Sequence, residues 1–451
     1  MADRSRYHAR WVLPIAAPPI ENGTVVVDGD RIVWVGPRAQ APAGGMDDDL
    51  GDAALMPGLV NAHTHLELTV MRGFLEELSF FDWVSTLTRA RHHVLDAPAL
   101  LDSARLGVLE GLRAGVTTFA DTGDSSAPFD ALRELGARGI AFREVFGPDP
   151  AQADASLAAL TAKVDAMRAH ETPLVRVGVS PHAPYSVSDV LFASVAAYAR
   201  AERLPVAVHV AESEDESALV ERARGQFADF LRSRGIEVEP RARSPIALLE
   251  RCGVLAARPL LIHAVRVDAP DIAAMARHRC GVAHCPASNA KLAHGVAPLL
   301  DMLAAGLDVG LGSDSMASNN RMDIVGEGRL ASLQQRSQAR RFDALNAAQV
   351  LDLATRGGAR ALALDQFVGV LAEGLQADLA AFDLTGLATE PVHDVLAALV
   401  HAGRAPARRT IVAGQLRVRD GTVLHDDPGL AARVQQRADA LGRWRRANPI
   451  R

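Results

Sequence analysis

Lysine is almost missing from this chain: of 48 basic residues, only Lys163 and Lys291 are lysines and the rest are arginines. A compositional bias explains the arginine, but the scarcity removes most candidates for lysine-dependent chemistry. Cysteine is as scarce, with Cys252, Cys280 and Cys285 only and no Cys-x-x-Cys pair. That excludes a disulfide framework and a thiolate metal site, and it fits a reducing compartment. No apolar run reaches the roughly 18 residues needed to cross a bilayer. The opening Met1-Ala-Asp-Arg-Ser-Arg6 lacks the apolar stretch and cleavage site of a signal peptide, so a soluble cytoplasmic protein with no membrane partner is expected. Net charge is −6 with no basic stripe, which argues against a nucleic-acid partner.

What the chain does have is length and apolar content, 451 residues at 49% hydrophobic, enough for a large core and more than one domain. Residues 1–56 read as a small β unit, with Thr24–Asp28 and Arg31–Val35 forming a hairpin about Asp28-Gly29. Similar β-rich text returns at Ala377–Asp383 and Thr410–Leu424, so the two ends are expected to build one composite β domain, 1–56 with 366–451. Residues 429–447 read as a final arginine-rich helix, packed on one side and solvated on the other.

Between them, residues 57–365 alternate strands and helices. Strands are expected near 58–63, 115–121, 140–146, 174–180, 205–210, 259–264, 281–285 and 307–313. Eight β-then-α units of this size predict an α/β fold of the closed (β/α)8 TIM-like type. An open doubly wound sheet is the alternative, disfavoured because no Gly-x-Gly-x-x-Gly turn follows an early strand.

Several of these strands end in residues that can do chemistry. The first opens into His63-Thr64-His65, the fifth ends at His209, and the eighth at Asp314. His-x-His alone is weak evidence, but alternation puts residues i and i+2 on one side of a strand, and a barrel aims strand ends into its mouth. Three imidazoles and a carboxylate suit a catalytic zinc or a similar divalent ion, and their spacing is too long for a local zinc finger. A zinc site of the His-x-Glu and Pro-Cys-x-x-Cys type is excluded by the cysteine pattern.

The segments Pro57–His65, His209-Val-Ala-Glu212, His263, His284–Asn289 and Gly312-Ser-Asp314 resemble the amidohydrolase superfamily, in particular its branch of purine, pyrimidine and triazine aminohydrolases and chlorohydrolases. The resemblance spans nearly the whole chain. It implies that His63, His65, His209 and Asp314 hold one zinc, with iron as the other option. Binuclear members need a bridging ligand, usually a carboxylated lysine ending strand four. Here that strand ends in Ser180-Pro-His182 and neither lysine is near, which favours one metal with an open position for water. The resemblance further implies that Glu212 shuttles protons to a ring nitrogen, that His263 polarises the attacking oxygen, and that Asp314 accepts the water's proton as well as binding metal.

For substrate contact, His182 resembles a histidine of the nucleoside deaminases in this branch. Arg143, near the end of strand three, could meet a carboxylate or ribose, or form a salt bridge inside the barrel. His284 ends strand seven, close to the metal ligands. A long loop after strand one carries Glu67 and Trp83, the latter able to cover a flat ring or to sit in the core. Residues 214–258 form a long connection on the catalytic face, suited to a specificity lid.

His63–Glu67, the Pro-His-Ala-Pro-Tyr turn ending at Tyr185 and the insertion after strand five look most like enzymes deaminating 6-aminodeoxyfutalosine. Deaminases of adenosine, methylthioadenosine or S-adenosylhomocysteine come next, then guanine, pterin or chlorotriazine hydrolases. Leu66-Glu67 departs from the homocysteine-type pattern. The expected activity is metal-dependent hydrolysis of a carbon–nitrogen bond in an aminated heterocycle, with a small-molecule substrate and a homodimer as an open option. A hydrolase of amide, lactam or carbon–halogen bonds is the competing enzyme, and a metal-binding barrel without turnover is the non-enzymatic reading.

Overall fold

The computed structural model describes residues 4–402, 406–425 and 427–449. Its centre is a ring of eight strands: β1 (Leu59–Thr64), β2 (Val116–Gly123), β3 (Arg138–Val145), β4 (Val175–Pro181), β5 (Ala207–Val210), β6 (Leu260–His263), β7 (Gly281–His284) and β8 (Asp308–Leu311). Consecutive strands pair in parallel within β1–β4 and within β5–β8. Bridges Val179–Val206 and Thr64–Asp314 join the two halves and close the barrel. Each strand lies within a few residues of its expected place.

Helices separate most of these strands, and the sequence shows why they form. In Ala97–Arg113, Leu100, Ala104, Val108 and Leu112 recur every four residues and are all buried, while the Asp96 side chain caps the start by accepting from Ala99 N. The barrel interior is filled by Val60, Ala120, Ile140, Phe142, Leu260 and Ile262, and its lower end is packed with Ala359, Leu362, Leu364 and Val368. Chemistry is thereby confined to the opposite, C-terminal ends of the strands. The segment expected as a loop after β1 is largely helical, with a helix at Phe80–Val94. Ser79 caps it at Asp82 N, a signal present in the sequence that the aromatic residues obscured.

Both ends of the chain share one nine-stranded sheet. Its core order is Arg409–Val412, Leu379–Asp383, Ala53–Pro57, Arg4–Val12 and Ile20–Asp28. The Leu379–Asp383 strand runs antiparallel to Ala53–Pro57, with Ala381 opposite Leu55. Arg138 on β3 ties the sheet to the barrel through a buried pair with Asp378.

The last helix, Leu430–Ala447, packs on barrel helices Phe80–Val94 and Ala97–Arg113 rather than on the terminal sheet. Leu430, Val434 and Leu441 are its buried face, and Arg433 bonds both Asp102 and Asp427. Among the described residues no helix is long and apolar enough to cross a membrane.

Candidate metal centre and active site

At the C-terminal mouth of the barrel, His63, His65 and His209 bring ring nitrogens within 4.8 Å of one another, and His63, His263 and Asp314 form a second, overlapping cluster. His63 Nε2 is 3.1 Å from Asp314 Oδ1, His65 Nε2 is 3.6 Å from the same oxygen, and the Nε2 atoms of His65 and His209 face each other at 3.3 Å. Burial holds these imidazoles neutral: His63 falls to about 4, and His65 and His209 also lie below the usual value. Neutral nitrogens aimed at one another and at a carboxylate are the donor set a divalent ion requires. His209 Nδ1 is committed to the carbonyl of His182 at 3.1 Å, which leaves Nε2 as its free donor.

The backbone at the strand ends is built for this convergence. Gly312 lets the end of β8 pass β1, since a Cβ there would lie 2.9 Å from both His63 Cβ and Cys285 Sγ. Asp314 follows with φ 57°, and its amide donates to the carbonyl of His63 at 2.9 Å. Its Oδ2 accepts from Ser288 and from Ser318, so only Oδ1 faces the histidines. Burial pushes the Asp314 carboxyl up, but the hydrogen bond and charge of His63, with His263 and His65, bring it well below the ordinary range. His263 is held at φ 73° and its Nδ1 meets Asn289 Oδ1 at 3.0 Å. Side chains in the left-handed region at strand ends carry backbone strain, which concentrates at functional sites.

Glu212 lies just beyond β5. Its Oε1 is 3.5 Å from His263 Nε2 and 3.3 Å from His294 Nε2, in a pocket that leaves the carboxylate almost entirely buried. Burial opposes its charge, yet His263 and His294 keep it below the usual glutamate value. Behind it, Glu216 accepts the backbone N–H of Ala211 at 2.8 Å and of Glu212 at 2.9 Å. Ser213 caps the helix Glu214–Arg222 by accepting from Glu216 N. The Ser-x-x-Glu spacing is that of a capping box, but here the glutamate reaches past the cap residue to the two amides before it.

His182 ends its strand as expected, with Nδ1 bonded to Ser186 at 2.7 Å and its ring 4.9 Å from that of His209. Burial lowers its pKa to about 3. Arg143 is buried nearby, and its Nε and Nη1 have no partner among the described residues. His284 is buried with neither ring nitrogen bonded among the described residues, and burial lowers its pKa to about 4. Trp83 lies in the core, stacked on Phe80 at 6.3 Å, with Nε1 directed at the Ala317 carbonyl. Glu67 is occupied on both oxygens, by Arg91 on one and Ser125 on the other. Neither lysine enters the site: Lys163 is exposed and Lys291 pairs with Glu76 at 2.7 Å.

Two residues of this site escape sequence reasoning. Glu216 reads as one acid among several at a helix start, and His294 sits in irregular text after β7. The Ser213-x-x-Glu216 spacing is a signal for the first; none marks the second.

Residues 54–417 match the amidohydrolase family, and the chain belongs to it. It is a hydrolase acting on carbon–nitrogen bonds other than peptide bonds. A 5-methylthioadenosine/S-adenosylhomocysteine deaminase of Moorella thermoacetica is 34% identical over 409 residues, covering 89% of this chain and 90% of the relative. The zinc-bound crystal structure of an adenosine deaminase from Xanthomonas campestris superposes with a TM-score of 0.87 at 30% identity, covering 97% of this chain and 98% of the other. An aminofutalosine deaminase of Helicobacter pylori shares the fold, with a TM-score of 0.80 at 22% identity over 92% of this chain and all of the other (100%).

Proposed function

We propose that this chain hydrolytically deaminates a 6-aminopurine nucleoside, with 5′-thio nucleosides such as methylthioadenosine and S-adenosylhomocysteine, or adenosine itself, as its substrates. The observation that carries the reading is the buried Glu212 carboxylate, three residues past His209 and bracketed by His263 and His294. A hydrolase of amide or carbon–halogen bonds has less need of a proton donor so placed, whereas an aminopurine must be protonated on the ring before its amine leaves. The 34% identical relative favours the thio nucleosides over 6-aminodeoxyfutalosine, which the text after the His pair had suggested. Glu67, which belongs to one of the three segments behind that expectation, is clamped by Arg91 and Ser125 and supports no ligand contact.

His63, His65, His209 and Asp314 fit one divalent ion, zinc first and iron second, which when bound would lower the pKa of a water molecule toward neutrality. Glu212 gives a proton to the ring nitrogen beside the amino-bearing carbon. His263, fixed by Asn289, donates to the oxygen that becomes the product carbonyl. Asp314 Oδ1 takes the second water proton and passes it to the departing amine. His182 and Arg143 face the substrate's sugar side. The test is ammonia release by the metal-loaded protein from methylthioadenosine, S-adenosylhomocysteine, adenosine, 6-aminodeoxyfutalosine, guanine and a pterin. The highest kcat/KM is expected for one of the first three. Release confined to guanine or pterin, or to 6-aminodeoxyfutalosine, would overturn the assignment.

A further inference from the structure

We infer that His294 is a proton relay acting through Glu212, connecting that carboxylate to a polar cavity outside the substrate site. The inference rests on the deaminase reading above. His294 follows the short helix Pro286–Lys291 beyond β7, and its amide donates to the Asn289 carbonyl at 2.9 Å. Asn289 also holds His263, so one residue sets both imidazoles that flank Glu212. The Nε2 of His294 is buried, lacks a hydrogen-bond partner of good geometry, and lies 3.3 Å from Glu212 Oε1. Phe80 packs edge-on against the ring at 4.6 Å and keeps it upright beside the carboxylate.

The same histidine lines a cavity of about 560 Å³ whose other walls include Glu214, Arg243, Arg266, Asp268 and Asp271. These charges pair among themselves, Arg243 with Asp268 and Asp271, and Arg266 with Glu214. They leave a polar space rather than a free anion site. His294 is therefore the side chain that touches both the buried acid and that space. An imidazole so placed has two ring nitrogens, one for the acid and one to exchange with the space behind it.

Such a path answers a need of the reaction. Water and an aminopurine give an oxopurine with hydrogen on the ring nitrogen, plus ammonia, and both of those hydrogens derive formally from the water. Asp314 passes one of the two water protons to the departing amine and the other is released to solvent as the attacking hydroxide forms, so one proton must return from solvent to the ring nitrogen through Glu212. Glu212 is ionised between turnovers and must hold a proton before it can give one. His294 delivers that proton from the cavity and is itself reprotonated from solvent.

The experiment uses His294→Ala and His294→Gln in the metal-loaded enzyme with methylthioadenosine. A relay predicts that kcat falls at least about tenfold in both. KM stays within about threefold. Metal content is unchanged. Imidazole added to His294→Ala restores kcat in a saturable manner, and pyrazole, equal in size but far less basic, does not. Wild-type kcat in His294→Gln, or equal rescue by pyrazole, overturns the relay and leaves a packing role. If His294→Ala fails to fold, His294→Gln decides alone: a kcat loss with normal metal content and melting supports the relay, and normal kcat rejects it. Absence of ammonia release by the wild type is a separate outcome that rejects the deaminase reading instead.

Discussion

Glu216 grips the backbone N–H of Glu212 at 2.9 Å with one carboxylate oxygen, and with the other it holds Ala211, which sits at φ 52°. The grip sets where the Glu212 side chain begins. Glu216→Gln keeps the volume but leaves one buried amide without an acceptor, at a cost of about 1–3 kcal/mol. Expected are a kcat at least about tenfold lower and a KM nearly unchanged. Full metal content should persist. Steady-state kinetics normalised to bound metal checks this, and unchanged kcat in a folded variant would remove the positioning role.

Removal of the proposed ion should be separable from removal of the proton shuttle. His209→Ala is expected to lose both metal and activity, whereas Glu212→Gln should lose turnover by about 10²–10⁴-fold and keep its metal. Elemental analysis beside the ammonia assay distinguishes the two. A metal-to-protein ratio near one is expected for the wild type, and a ratio near two would refute the single-ion reading.

Arg138 and Asp378 form two parallel hydrogen bonds of 2.8 and 2.9 Å, both buried, and Asp378 also accepts the Ala413 amide. Removing one member strands the other charge at the seam between barrel and sheet. Asp378→Asn should therefore destabilise by about 3–5 kcal/mol. Arg138→Met combined with Asp378→Leu should recover much of that loss. Urea unfolding of the single and double variants provides the measurement.

Glu327 accepts Ala287 N and Asn319 Nδ2, and burial raises its carboxyl to about 8 from 4.5. A folded-state pKa above the unfolded value gives stability that is complete below about 4.5 and is lost as pH rises through about 8. Glu327→Gln imitates the protonated acid and should flatten the fall in melting temperature across that window. An equally steep profile in the variant would assign the pH dependence to other groups.

The parts legible in the sequence are those where one periodicity dominates. Barrel strands are short apolar runs, and alternation fixes which side His63 and His65 share. His209, His263 and Asp314 stand where such runs stop, so their convergence follows from closing the ring. The strand Arg4–Val12 was hidden because its buried positions include His8, bonded to Thr24 and Asp47, which breaks the apolar pattern. Trp83 and Glu67 could not be placed from text alone, since an aromatic or acidic residue near a strand end serves a core or an ion pair as readily as a ligand. His294 owes its position to the end of the short helix Pro286–Lys291 and to Asn289, contacts with no local period to reveal them.

The pairing of Ala53–Pro57 with Leu379–Asp383 also has a consequence for biosynthesis. Ala53–Pro57 leaves the ribosome more than 300 residues before its partner strand does, and only Gly58 separates it from β1. Throughout that interval the apolar strand Ala-Ala-Leu-Met-Pro, paired with Arg4–Val12 on one side, leaves its other edge open beside the strand that carries His63. A nascent chain halted before Leu379 should thus be a favoured client for chaperones, and completion of the active-site barrel should coincide with the end of translation rather than precede it.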